Sequence, residues 1–215
     1  SITGALIVLG TVYFLCAEWD NPSTLGAMPL WQRPLNALFQ SVTLRTAGYA
    51  TFDQGGLREG SAVMSILLML IGGSSGSTAG GLKTVTVGIL LLALRDGLRG
   101  RDQVVFRGRR IPGRKVLDAM TLTLTVVLLF LSASMLLSFL DRVPYVQAAF
   151  ETASAMGTVG VTMGITPKLG TPSALLVVLL MFLGRVGILS FSIAFLTRGR
   201  GENKITYPAA EVMVG

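Results

Sequence analysis

Two four-residue turns, Thr46-Ala47-Gly48-Tyr49 and Thr158-Val159-Gly160-Val161, have the composition needed to hold a dehydrated cation on backbone oxygens. Such an ion needs carbonyls aimed at one point, and glycine permits the dihedral angles that keep successive carbonyls on one side. A bare Thr-x-Gly specifies nothing. Its weight comes from context: one turn follows the apolar stretch Leu35 to Val42 and the other follows Pro144 to Met156, each too short to cross a bilayer, and each turn precedes a much longer apolar run. An ordinary surface turn is the competing interpretation, and two copies in one context weigh against it.

A second candidate lies in the 34 residues from Ser61 to Leu94, whose only charge is Lys83. As one straight helix this run would be about 51 Å long against a hydrocarbon core of about 30 Å. The break is expected at Gly72-Gly73-Ser74-Ser75-Gly76-Ser77-Thr78-Ala79-Gly80-Gly81, where glycine and hydroxyl residues disfavour a continuous helix. Non-helical backbone at membrane depth is tolerated where protein buries it or where it lines a water-filled cavity, so this segment is expected to face a pore. Gly76 and Gly81 also have the spacing of a phosphate-binding loop. That motif needs lysine directly after the second glycine, where Leu82 stands, with Lys83 one residue late.

Three charges accompany these segments. Arg185 falls near the middle of an apolar run, where an unpaired charge costs at least about 2.5 to 3.5 kcal/mol, so it needs partners. The freed carbonyls of the glycine segment are suitable acceptors for its five donors. Arg45 and Glu151 flank the two turns, and the sequence leaves them open to pairing with each other, with groups elsewhere, or with water at a rim.

Composition sets the frame for these readings. Of 215 residues, 51% are hydrophobic and 13% charged, and the mean hydropathy is +0.67, so lipid is the solvent of most of the chain. Histidine is absent and Cys16 is the only cysteine, which removes histidine bases, zinc clusters and internal disulfides; no enzyme is expected. Cys16, in an apolar run, is read as a small buried hydrophobe. The net charge of +7 comes largely from Arg95, Arg99, Arg101, Arg107, Arg109, Arg110, Arg114 and Lys115. This clustering between apolar runs is a topology signal placing 95–115 in the cytoplasm, and nucleic acid is not an expected partner. Ser1 opens directly on an apolar run, and the chain is read as part of a longer protein.

The elements that must position the turns form an internal repeat. An offset of 112 residues, as from Thr46 to Thr158, also pairs Gly48 with Gly160, Ser61 with Ser173, Leu67-Leu68-Met69 with Leu179-Leu180-Met181, and Gly72 with Gly184. It brings Arg185 to the depth of Gly73. The expected fold is an all-α integral membrane protein of tandem parallel repeats, each a span, a re-entrant pore helix with a filter turn, and a span. Residues 1–94 form one repeat, 95–115 a basic connector, 116–197 the other repeat, and 198–215 a tail. Trp19 and Trp31 suit an interfacial belt.

Leu44-Arg45-Thr46-Ala47-Gly48-Tyr49, the segment Gly72 to Gly81 with Leu82-Lys83-Thr84, the stretch Ser154 to Gly164, and Gly184-Arg185-Val186-Gly187 resemble the third and fourth repeats of Trk/Ktr/HKT potassium transporters. The ending Tyr207-Pro208 to Val214-Gly215 is similar to the bacterial Ktr membrane subunit. The resemblance implies potassium uptake through a filter formed by Thr46, Ala47, Gly48, Tyr49, Thr158, Val159, Gly160 and Val161, with potassium on their carbonyls. It implies a gate in Gly72, Gly73, Ser74, Ser75, Gly76, Ser77, Thr78, Gly80 and Gly81, with Lys83 and Arg185 beside it. It further implies a homodimer, a cytoplasmic nucleotide-binding regulatory ring, and a multi-pass location in the bacterial inner membrane. Potassium is the substrate, no cofactor is bound covalently, and sodium stays open as an activator. Both turns lack the last glycine of a Thr-Val-Gly-Tyr-Gly strand, having Ala50 and Thr162 there, which implies fewer ion sites. A secondary transporter of another solute and a non-conducting assembly subunit are the rival readings.

Overall fold

A computed structural model of the chain describes residues 2–73, 80–101, 103–106 and 108–186. Seven α-helices occur among them: α1 (Ile2–Ala17), α2 (Gln32–Thr43), α3 (Glu59–Leu70), α4 (Thr84–Leu98), α5 (Gly113–Asp141), α6 (Tyr145–Gly157) and α7 (Thr171–Val186). Ser74, Ser75, Gly76, Ser77 and Thr78 of the glycine segment lie outside the described residues, as does the tail 198–215.

The 112-residue offset survives in three dimensions as an order of elements. A long apolar helix, a short helix ending in a turn, and a second apolar helix occur as α1, α2, α3 and again as α5, α6, α7. Among the described residues, α5 is long and apolar enough to cross a membrane, with 29 residues. Three shorter apolar helices, α1, α3 and α7, accompany it. The overlong run after Ser61 breaks where glycine was expected to break it. α3 ends at Leu70, α4 begins at Thr84, and the two ends are held together by a parallel bridge between Ile71 and Leu82.

Core packing centres on α6, which lies against α3, α5 and α7 and is buried from Ala148 to Gly157. α2 packs chiefly on α1 and leaves Leu35, Leu38, Phe39 and Val42 exposed. Close backbone approach explains Gly184: a methyl group there would collide with the Met156 carbonyl of α6.

One expectation is corrected. Cys16 is exposed, because α1 is apolar all round and only Gly10 and Phe14 of it are buried. Within the all-α architecture the basic connector holds a short two-stranded antiparallel hairpin, β1 (Val105–Phe106) and β2 (Arg109–Arg110). The hairpin is organised by Asp96, fully buried at the end of α4, which accepts the Val105 N–H at 3.1 Å and two hydrogen bonds from Arg95 Nη2 at 3.0 and 3.2 Å. The Val105 amide first, and then Arg95 and Arg101 against the cost of burial, hold this carboxyl below the ordinary aspartate range.

Candidate functional site

The two turns have the same unusual backbone. Thr46 and Gly48 have φ of 77° and 78°, and Thr158 and Gly160 have φ of 55° and 95°, while Ala47 and Val159 between them stay on the negative side. Alternating handedness rotates successive peptide planes so that the N–H groups gather on one side and the carbonyls turn to the other.

The hydrogen bonds show which side is which. In the first turn the N–H groups of Ala47, Gly48 and Tyr49 all return to Thr43, the last residue of α2, at 3.1 and 3.5 Å to its carbonyl and 3.0 Å to its hydroxyl. In the second, the N–H groups of Thr158, Val159 and Gly160 return to the end of α6, at 3.2 Å to Ala155 O, 2.9 Å to Ser154 O and 3.2 Å to Ser154 Oγ. The amides are thus committed backwards; of the carbonyls, that of Tyr49 also accepts the Thr43 hydroxyl at 2.5 Å, and that of Val159 faces Gly48. The turns also meet: a methyl group on Gly48 would lie 2.5 Å from the Val159 carbonyl oxygen, and one on Gly160 would lie 3.7 Å from Gly48 Cα. Of the eight residues expected from sequence, Gly48 of the first turn thus meets Val159 and Gly160 of the second.

Each turn is braced from behind by a polar clamp, of whose members only Glu151 stood out in the sequence. Behind the first, Gln40 of α2 and Gln54 exchange two hydrogen bonds at 2.6 and 3.2 Å. Behind the second, the buried Glu151 of α6 accepts from Thr162 Oγ1 at 2.7 Å and from the Thr166 hydroxyl. Thr166 lies one repeat beyond Gln54, so the offset marked the position even though the side chains differ. The acids that end the first helix of each repeat also correspond. Glu18 accepts the Arg58 N–H at 3.1 Å and Asp141 accepts the Gly170 N–H at 3.1 Å, Arg58 and Gly170 again being one repeat apart. Burial alone would raise the pKa of Glu18, but the Thr24 hydroxyl, the Asn21 amide and the Arg58 N–H, all hydrogen-bonded to it, bring it below the ordinary glutamate range.

Arg45 and Glu151 do not pair. Arg45 instead donates to the Gly72 carbonyl at 3.0 Å and to the Thr3 carbonyl at 3.4 Å. Gly72, through Arg45, and Gly80, which donates to Thr158 Oγ1 at 3.0 Å, thus border the turns, while Gly73 and Gly81 lie at the α3–α4 junction. Lys83 stands at the start of α4, and Arg185 is exposed in the last turn of α7.

A family described as TrkH, cation transport protein, matches residues 5–203. The chain belongs to this family. It is 37% identical over its whole length to the Ktr system potassium uptake protein B of Bacillus subtilis, of which it covers 48%. It is 40% identical, again over its whole length, to the potassium/sodium uptake protein NtpJ of Enterococcus hirae, of which it covers 49%. The fold matches the crystal structure of the potassium transporter TrkH from Vibrio parahaemolyticus with a TM-score of 0.69 at 21% identity, over 91% of this chain and 43% of that one. The chain thus spans about half the length of the relatives it matches, and it belongs among membrane transport proteins rather than enzymes.

Proposed function

We propose that this chain contributes two of the repeats around a potassium-conducting pore and takes part in potassium uptake across the bacterial inner membrane as a multi-pass protein. The observation that carries this reading is the pair of turns with alternating handedness, whose amides are committed to their own helices and whose backbones meet at Gly48 and Val159. Carbonyls of Thr46, Ala47, Gly48 and Tyr49, with those of Thr158, Val159, Gly160 and Val161, replace the hydration shell of the ion. They are uncharged, so they suit a monovalent cation that must also leave. The names of the two relatives support potassium, and that of the Enterococcus protein keeps sodium in view as a co-ion or activator.

The glycine segment from Gly72 to Gly81, with Lys83 at its exit and Arg185 at its depth, controls passage. Support comes from its position, since its described ends border both turns. A homodimer and a cytoplasmic nucleotide-binding ring complete the reading, as the family resemblance implies. The test is rubidium and potassium uptake by the full-length protein in liposomes, with sodium as competitor. Uptake driven by the potassium gradient and resistant to excess sodium is expected; uptake that requires another solute's gradient would replace this reading with a secondary transporter.

A further inference from the structure

The basic connector contains more structure than a topology signal requires. Positive charge alone fixes the side of the membrane on which a loop stays, and an unfolded loop serves as well as a folded one. Here the connector is folded. Asp96 is withdrawn from the surface, the Val105 N–H and the Arg95 guanidinium close on it, and Arg101 Nη1 lies 3.7 Å away. Ile111 N–H donates to Val104 O at 2.9 Å below the hairpin, in which Phe106 pairs with Arg109.

What this fold leaves outside is basic. Arg99, Arg109, Arg110, Arg114 and Lys115 are all exposed, and among the described residues none of them makes an ion pair. Asp118, an exposed acid, stands one turn beyond Arg114 on α5, and the balance remains positive. The start of α5 sharpens the point. Arg99 caps the end of α4, where positive charge complements the helix dipole, but Arg114 and Lys115 occupy the first turn of α5, which has neither an acid nor a side-chain cap. Positive charge is disfavoured there, and an anion from outside supplies what the sequence omits.

Apolar surface lies beside this charge. Phe106 is 52% exposed and lines a shallow cleft with Arg109, Arg110 and Ile111. The helices on either side carry exposed apolar rows towards the hairpin, Leu91, Leu94 and Leu98 on α4 and Leu117, Met120 and Leu124 on α5. Each row repeats at helical spacing and so forms one face. Such faces suit lipid chains, which puts the hairpin where hydrocarbon gives way to headgroups.

We infer that the surface formed by the hairpin and the start of α5 binds anionic phospholipids, with Arg109, Arg110, Arg114 and Lys115 taking the headgroup phosphates and Phe106 entering the interface beside them. The inference rests on reading the chain as a membrane protein with this connector in the cytoplasm, and goes beyond it, since conduction by the two turns needs no lipid of one charge. An acidic protein would match the arginines but gives no reason for an exposed Phe106 between two apolar rows.

The experiment places the full-length protein in liposomes of mixed phosphatidylglycerol and phosphatidylcholine, with bromine as a quencher on the acyl chains of one lipid or the other. Phe106→Trp is the reporter, read as the difference from the parent protein, which keeps Trp19 and Trp31. Quenching should be stronger when phosphatidylglycerol carries the bromine, and high salt should reduce the difference. Arg109→Gln and Arg110→Gln should each lower the preference by up to about fivefold, while lysine at both positions should keep it. Equal quenching by the two lipids, or a preference that survives both glutamines, overturns the inference. Quenching by neither lipid puts the hairpin away from the bilayer and overturns it in favour of a protein partner. Rubidium uptake by the parent in the same liposomes reports the conduction reading separately, so lipid preference without uptake supports this inference and removes that reading. Should Phe106→Trp fail to fold, the two lipids retained by the full-length protein after extraction are counted with and without the glutamine pair; a lower share of phosphatidylglycerol in the variant supports the inference, and an equal share overturns it.

Discussion

Behind the first pore turn a neutral amide pair, Gln40 and Gln54, joins the short helix to the loop that follows; behind the second, the carboxylate of Glu151 does so through two threonine hydroxyls. The hydroxyl that catches the last turn amide also differs, being Thr43 in one repeat and Ser154 in the other, and the acid that caps the second long helix is Glu18 in one and Asp141 in the other. What does not differ is the backbone, left-handed at Thr and Gly with three amides turned back. The comparison separates what the turn requires, alternating handedness and committed amides, from what is interchangeable, which is any brace that is buried and has its hydrogen bonds satisfied.

The largest expected effect breaks the symmetry between the two glycines. Both have positive φ, so alanine is strained at either place, but at Gly48 its methyl would also press on the Val159 carbonyl oxygen at 2.5 Å, whereas at Gly160 the nearest atom is 3.7 Å away. Gly48→Ala should lower potassium uptake the most, by well over about tenfold. Gly160→Ala should lower it by about tenfold, the cost of left-handed strain alone. Equal losses in an uptake assay would mean that the turns do not meet as described.

Next come the hydroxyls. Thr43 Oγ1 both accepts the Tyr49 N–H and donates to the Tyr49 carbonyl at 2.5 Å, while Ser154 Oγ is held to Gly160 by acceptance alone. Leaving a buried donor unsatisfied costs about 1 to 3 kcal/mol, so thermal unfolding should show Thr43→Val below Ser154→Ala, and both below wild type. The clamps sharpen the comparison further. Glu151→Leu removes the carboxylate acceptor of both hydroxyls and leaves Thr166 only its bond to Thr162 at 2.9 Å, whereas Glu151→Gln keeps one acceptor oxygen and offers an N–H that a rotated threonine hydroxyl can accept. Glutamine should therefore restore most of the melting temperature lost with leucine; no recovery would show that the negative charge, not the hydrogen bonding, is the brace.

The smallest effect is one of pH. The carboxyl of Glu18 is held below its ordinary value in the folded protein, so its contribution to stability is complete above the unfolded carboxylate pKa of about 4.3 and is lost as pH falls through the lower folded value. Glu18→Gln should melt at a lower temperature than wild type at neutral pH, and the gap should narrow in acid. A gap that stays constant with pH would show that shape, not charge, is what Glu18 supplies.

Much of this arrangement was legible in the residues. The offset of 112 found the paired turns and the paired close-packed glycines Gly72 and Gly184, and the overlong apolar run with its glycines found the helix break after Leu70, because backbone demands for glycine and apolar length are written in the letters. The clamps were not legible, since Gln40 with Gln54 and Glu151 with Thr166 fill one role with different chemistry. The partner of Arg45 stayed open in the sequence, between Glu151, groups elsewhere and water; carbonyls freed by a helix break serve a guanidinium, and only the fold brings Gly72 to it. Cys16 was misjudged because burial is inferred from apolar neighbours, and a helix that is apolar on every side can leave such a residue on its surface.

The central claim is that carbonyls of the two turns select the ion, and the potassium to sodium permeability ratio of the full-length protein, measured in liposomes for wild type and for Gly48→Ser and Gly160→Ser, tests it most directly. Serine at either position opposes the left-handed backbone that keeps the carbonyls on one side. The account predicts a ratio well above one for wild type and a fall towards one in both variants at normal protein levels. A ratio that stays at the wild-type value in both would contradict it.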